Sequence, residues 1–159
     1  MGKREDKALE TAIRSGSVPA ARAALKAGAN PNATDEGYPL LWLAATRNAA
    51  LVKLMLAHGA EPNVLTSTGQ SPLAAACVAK APVAVDVLIA AGAKAELRSG
   101  LEDPLLITAV RSKNVRIVKA VLAAGARDVA NVSGHRASTY ATPAIAKLLA
   151  KSQPKSKKK

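Results

Sequence analysis

The chain has 159 residues, enough for one ordinary domain and too few for a multidomain enzyme. Hydrophobic residues make up 49% of it, but 36 residues are Ala, none is Phe and aromatics are only 2%, which excludes a thick aromatic core and favours helices that approach through Ala. The formal charge of +12 divides into +1 over residues 1–7, +5 over residues 151–159 and a moderate +6 between them, so half of what looks like a nucleic-acid signal sits in the tails.

The start, Met1-Gly2-Lys3-Arg4-Glu5-Asp6, runs straight into charge and supports no secretory signal. No stretch approaches 18 uninterrupted apolar residues, which excludes a transmembrane helix by length. Cys77 is the only cysteine, so there is no intrachain disulfide, and a cytoplasmic setting is the simplest expectation.

From residue 8 the chain repeats itself. Gly-Ala pairs fall at Gly28-Ala29, Gly59-Ala60, Gly92-Ala93 and Gly125-Ala126, and Pro-Leu pairs at Pro39-Leu40, Pro72-Leu73 and Pro104-Leu105 keep nearly the same period. The first unit, 8–33, starts at a polar terminus as a capping unit should. Units at 34–64, 65–97 and 98–129 follow. Each reads as helix, turn, helix, with Pro39 and Pro72 suited to a first helical turn and the Gly of each Gly-Ala pair suited to the left-handed residue after a helix. Ser17, Asn48 and Asn114 hold one equivalent position before the second helix and are good N-caps. Residues 130–150 read as a worn first helix followed by a short closing helix opened by Thr142-Pro143. Residues 151–159 are expected to be disordered.

Tyr38-Pro39-Leu40-Leu41-Trp42-Leu43-Ala44-Ala45 and Ser71-Pro72-Leu73-Ala74-Ala75-Ala76, together with Gly28-Ala29-Asn30-Pro31-Asn32 and Gly59-Ala60-Glu61-Pro62-Asn63, resemble the motifs of the ankyrin repeat family. The resemblance covers roughly residues 8–150. It implies an all-α solenoid of stacked helix-turn-helix units with short hairpin-like loops, about five units including degenerate caps. Departures are the absence of His after Pro-Leu, the early Pro104, and Glu96 and Val129 in place of the Asn of Asn32 and Asn63. In such a stack Leu9, Leu40, Leu73 and Leu106 point inward, Ala44, Ala76 and Ala109 let first helices approach, and Val52, Val85 and Val118 do the same from the second helices.

Catalytic chemistry finds no constellation. His58 and His135 are two repeats apart, Cys77 has no local base, and no glycine-rich phosphate loop is present, so neither an enzyme nor a metal or cofactor is expected. The informative residues lie outward of Leu40 on the helical wheel. Trp42 is about 200° around, with Ala45 and Thr46 on the same face. Thr11, Arg14 and Ser15, then Ala75, Val78 and Ala79, then Thr108, Arg111 and Ser112 are its equivalents. The resemblance implies that this face lines a concave partner groove, with an apolar middle, Arg at each end and Tyr38 at its hairpin edge. Trp42 reads either as a binding anchor or as filler between neighbouring helices.

A second column, Arg47, Lys80 and Lys113, is basic and stands where the first unit has Gly16. It reads as favourable placement at helix C-termini or as a ladder for an acidic partner segment. Asp35, Glu36, Glu61, Glu96, Glu102, Asp103 and Asp128 lie in or beside the loops, a rim that argues against wrapping a phosphate backbone. The expectation is a monomeric, non-catalytic protein-binding module that uses the groove and loop tips. Its rival is contact with an anionic polymer or membrane surface through the Lys-rich tail.

Overall fold

The computed structural model describes residues 3–96 and 103–152. Four helix pairs follow in order: α1 (Lys3–Arg14) with α2 (Val18–Lys26), α3 (Leu40–Arg47) with α4 (Ala49–Ala57), α5 (Pro72–Val78) with α6 (Pro82–Ala90), and α7 (Leu105–Arg111) with α8 (Val115–Ala123). A 3₁₀ turn over Ala137–Tyr140 and a final helix, α9 (Pro143–Ser152), close the described chain. The odd-numbered helices α1, α3, α5 and α7 pack side by side in one layer, with the 3₁₀ turn against α7. The layer behind them runs α2, α4, α6, α8, α9. Each pair shields its apolar face only by lying against its neighbours, the arrangement of a solenoid.

Local chemistry sets the helix boundaries. The side chains of Ser17, Asn48 and Asn114 accept hydrogen bonds from the backbone amides of Ala20, Leu51 and Ile117 respectively, so the expected caps form at α2, α4 and α8. The third unit has Ala81 at that place, without a side-chain cap, and Pro82 in the first turn of α6 instead. Pro72 opens α5 as expected. Pro39 and Pro104 stand one residue before their helices, as cap residues with φ −57° and −59°. Gly28, Gly59, Gly92 and Gly125 all have φ between 87° and 97°, the left-handed turn that ends α2, α4, α6 and α8. The only strands among the described residues, Thr34–Asp35 and Tyr38–Pro39, form a two-residue hairpin turned by Glu36 and Gly37, both at positive φ.

The core follows the composition. Leu9, Leu40, Leu73 and Leu106 are at most 1% exposed, and Ala44, Ala76, Ala109, Val52, Val85 and Val118 are fully buried. Two boundaries differ from the sequence reading. Helix α1 already begins at Lys3, so most of the charged segment 1–7 is helical. Helix α9 includes Lys151 and Ser152, which had been expected in a disordered tail. The segment expected as a worn first helix, around Ala137 and Tyr140, is a single 3₁₀ turn. Arg98 and Glu102, and the lysines of the tail beyond Ser152, lie outside the described residues.

Candidate protein-binding face

The first helices present their second turn to one side, and the side chains there are unlike in depth. Val78, at the end of α5, is 70% exposed and is the most exposed large apolar residue described. Ala45 holds the same repeat position one unit earlier and is fully buried. Ala75 and Ser112 are buried too, so three of the residues placed outward by the helical wheel do not line the surface. The small side chains of Ala45 and Ala75 fall below the level of their larger neighbours, and the Ser112 hydroxyl turns back to donate to the Ala109 carbonyl at 2.6 Å. Thr11, Arg14, Ser15, Thr46, Ala79 and Arg111 are exposed as expected.

Trp42 is half-buried and packs against the core, and its indole Nε1–H is covered without a hydrogen-bond partner. Tyr38, held on the hairpin and 37% exposed, lies with its ring centroid 5.0 Å from that of Trp42 at 41° between planes. The pair makes one tilted aromatic step from the hairpin edge down to the helix. Trp42 therefore spends much of its area on packing, and the freely offered apolar surface is that of Val78.

Charges divide into paired and unpaired. Arg14 makes an ion pair with Asp35 of the hairpin and a second with Glu10 at 3.2 Å. The hydrogen bond that Arg14 donates to Asp35, and then the charge of Asp35, raise the guanidinium pKa above the usual value. Arg111 pairs with Asp103 at 2.6 Å and lies 4.5 Å over the Tyr140 ring. The two arginines expected to mark the ends of the groove are thus both held by carboxylates of the same chain. Arg47, Lys80 and Lys113 are exposed, and among the described residues none has an ion pair or hydrogen bond through its side chain. Lys80 and Lys113 come after the C-caps of α5 and α7 with φ 53° and 57°, where the first unit has Gly16 at φ 74°. A side chain in this region costs about 1–2 kcal/mol that glycine avoids.

The remaining reactive groups offer little chemistry. Cys77 is fully buried, and burial pushes its thiol up to about 12. His58 caps the C-terminus of α4, and His135 lies edge-on to Tyr140 at 6.0 Å. Among the described residues no group of three or more His, Cys, Asp or Glu is placed to hold a metal ion, and no helix is long and apolar enough to cross a membrane.

The sequence reading missed a pair of seams between repeats. The Asn32 side chain donates to the Gly59 carbonyl at 3.1 Å and accepts from the Glu61 amide at 2.8 Å. Asn63 repeats both bonds with Gly92 and Lys94 at the same distances. Each Asn stitches its own loop to the next one. The signal was present in the recurring Gly-Ala-x-Pro-Asn, and its loss at Glu96 and Val129 marks where the stitching stops.

A family model described as ankyrin repeats in three copies matches residues 9–99 and again residues 40–133. The chain belongs to the ankyrin repeat family. Ankyrin repeats are generally protein–protein interaction modules, and this one shows the family's stacked helical hairpins. A search of curated proteins finds no match.

Proposed function

We propose that this ankyrin repeat chain is a non-catalytic binding protein that captures a partner protein on the face formed by its first helices and hairpin edge. One observation carries the reading: Val78 stands 70% exposed beside a row of cations that make no ion pair among the described residues, while Arg14 and Arg111 at either end are neutralised. Tyr38 and Trp42 extend the apolar patch, Thr46 adds a hydroxyl at its edge, and Arg47, Lys80 and Lys113 supply the charge. An exposed apolar residue ringed by polar groups is the usual centre of a binding patch. Leu65 and Val132, exposed in the loops, support a second line of contact at the loop tips. The setting proposed is the cytoplasm, and the active unit a monomer.

The test is affinity capture with mass spectrometry, comparing the full chain, a chain lacking residues 153–159, Val78→Asp and Trp42→Ala. Val78→Asp places a charge on a position already in water, so it leaves melting unchanged and removes the partner. Loss of capture with the tail deletion alone would instead favour contact with an anionic polymer or membrane surface through the lysines.

A further inference from the structure

We infer that the partner segment seated on this face is an extended acidic peptide with a carboxylate at every third residue, one each for Arg47, Lys80 and Lys113. The inference rests on the proposed binding face and adds the conformation and register of what it holds.

Three observations converge. First, the three cations share one repeat position and make no ion pair among the described residues, whereas Arg14 and Arg111 on the same face both have carboxylate partners in the chain. Uncompensated charge of one sign in a row is complementary to an acidic ligand. Second, Lys80 and Lys113 are kept in a left-handed conformation that the first unit assigns to Gly16, so a basic side chain stands where the backbone alone would select glycine. Third, spacing selects the ligand. Packed helices α3, α5 and α7 are neighbours in turn, and helix axes lie about 8–10 Å apart. An extended chain in the polyproline II form has three residues per turn and advances about 3.1 Å per residue, so residues three apart share one face and stand about 9 Å apart. A helix would need about seven residues per step and would lay an apolar stripe of several anchors on the face. The face offers Val78 and part of Tyr38, room for one apolar side chain rather than a stripe.

The experiment uses the full chain and fluorescein-labelled synthetic peptides of equal length, each with three glutamates: spaced by three in a proline-containing extended sequence, spaced by seven in a helix-forming one, and clustered together. Anisotropy is read at low and at physiological salt, with Trp42 emission as a second signal. The extended peptide binds about tenfold more tightly than the clustered one, a contrast that the Lys tail, having no fixed spacing, cannot produce. Lys80→Gly and Lys113→Gly each weaken binding about threefold and together about tenfold. Both variants melt no lower than the parent, because glycine is what the first unit uses at that place. Equal affinity for the clustered peptide, preference for the helical one, equally tight binding of single-stranded poly(U), or no binding at all overturns the inference. If the peptides fail while Val78→Asp still abolishes partner capture, the ligand is wrong and the binding face stands; if Val78→Asp leaves capture intact, the face itself is wrong.

Discussion

Replacing Asn32 by Ala removes both bonds of the first inter-repeat stitch, the donation to the Gly59 carbonyl and the acceptance from the Glu61 amide. Each such bond contributes about 0.5–1.5 kcal/mol net, and the full penalty of a buried orphan does not apply here, because Asn32 and Glu61 are exposed and water reaches the groups left behind. The loss is therefore about 1–3 kcal/mol, or about 2–12 °C in Tm for a domain of this size. Thermal melts give the total. Native-state hydrogen exchange gives its location, since the Glu61 amide should lose protection before the amides of α3. Asn32→Asp sharpens the test. It keeps the acceptor for Glu61 but turns an oxygen, not an N–H, toward the Gly59 carbonyl, so it must cost at least the bond to Gly59. An Asp variant as stable as the parent would refute the bridging role.

The same geometry predicts a gain. Glu96 stands in the register of Asn32 and Asn63 but among the described residues has only a long, exposed contact with Arg127 at 3.9 Å, so Glu96→Asn should reach Gly125 and Arg127 and raise stability by about 1 kcal/mol, visible in urea midpoints. Cys77 should lower stability at alkaline pH. The unfolded thiol ionises from about 9.0 and the folded one only near 12, so the unfolded state sheds a proton that the folded state keeps, and stability falls by about 1.4 kcal/mol per pH unit between those values. Lysines and tyrosines titrate there too, so the comparison is parent minus Cys77→Ala, and a difference flat with pH would contradict the burial. At Trp42, Ala should cost about 2 kcal/mol through lost packing, whereas Phe removes the unsatisfied indole N–H and should stay within about 1 kcal/mol of the parent in chemical denaturation.

The stacking order was legible because it depends on periodic features: the Gly-Ala pairs, the caps Ser17, Asn48 and Asn114, and the columns headed by Leu9 and Val52 all keep one register of 31- and 33-residue steps. What did not transfer was depth. A helical wheel assigns Ala45 and Val78 one direction, yet depth depends on the size of the side chain and of those beside it, so the methyl of Ala45 is covered and Val78 is not. Trp42 leaves the helix outward and its ring nonetheless lies against the core. The pairing of Arg14 with Asp35 spans a helix and a hairpin, and no local pattern announces such a contact. The left-handed turns at Lys80 and Lys113 were hidden for the opposite reason: residue type there contradicts the backbone, and only comparison with Gly16 discloses it.

The internal neutralisation of Arg14 and Arg111 separates what a partner feels from afar from what it holds on contact. Before contact, within the Debye length of about 8–10 Å, an approaching molecule responds to the summed excess of +12, the lysines of the tail included. Once docked, it meets only the few cations left free on the face. In the proposed complex, encounter and residence are thereby governed by different charges of one chain: added salt is expected to slow arrival steeply, while the lifetime is expected to depend on Val78 and the cations of the proposed face.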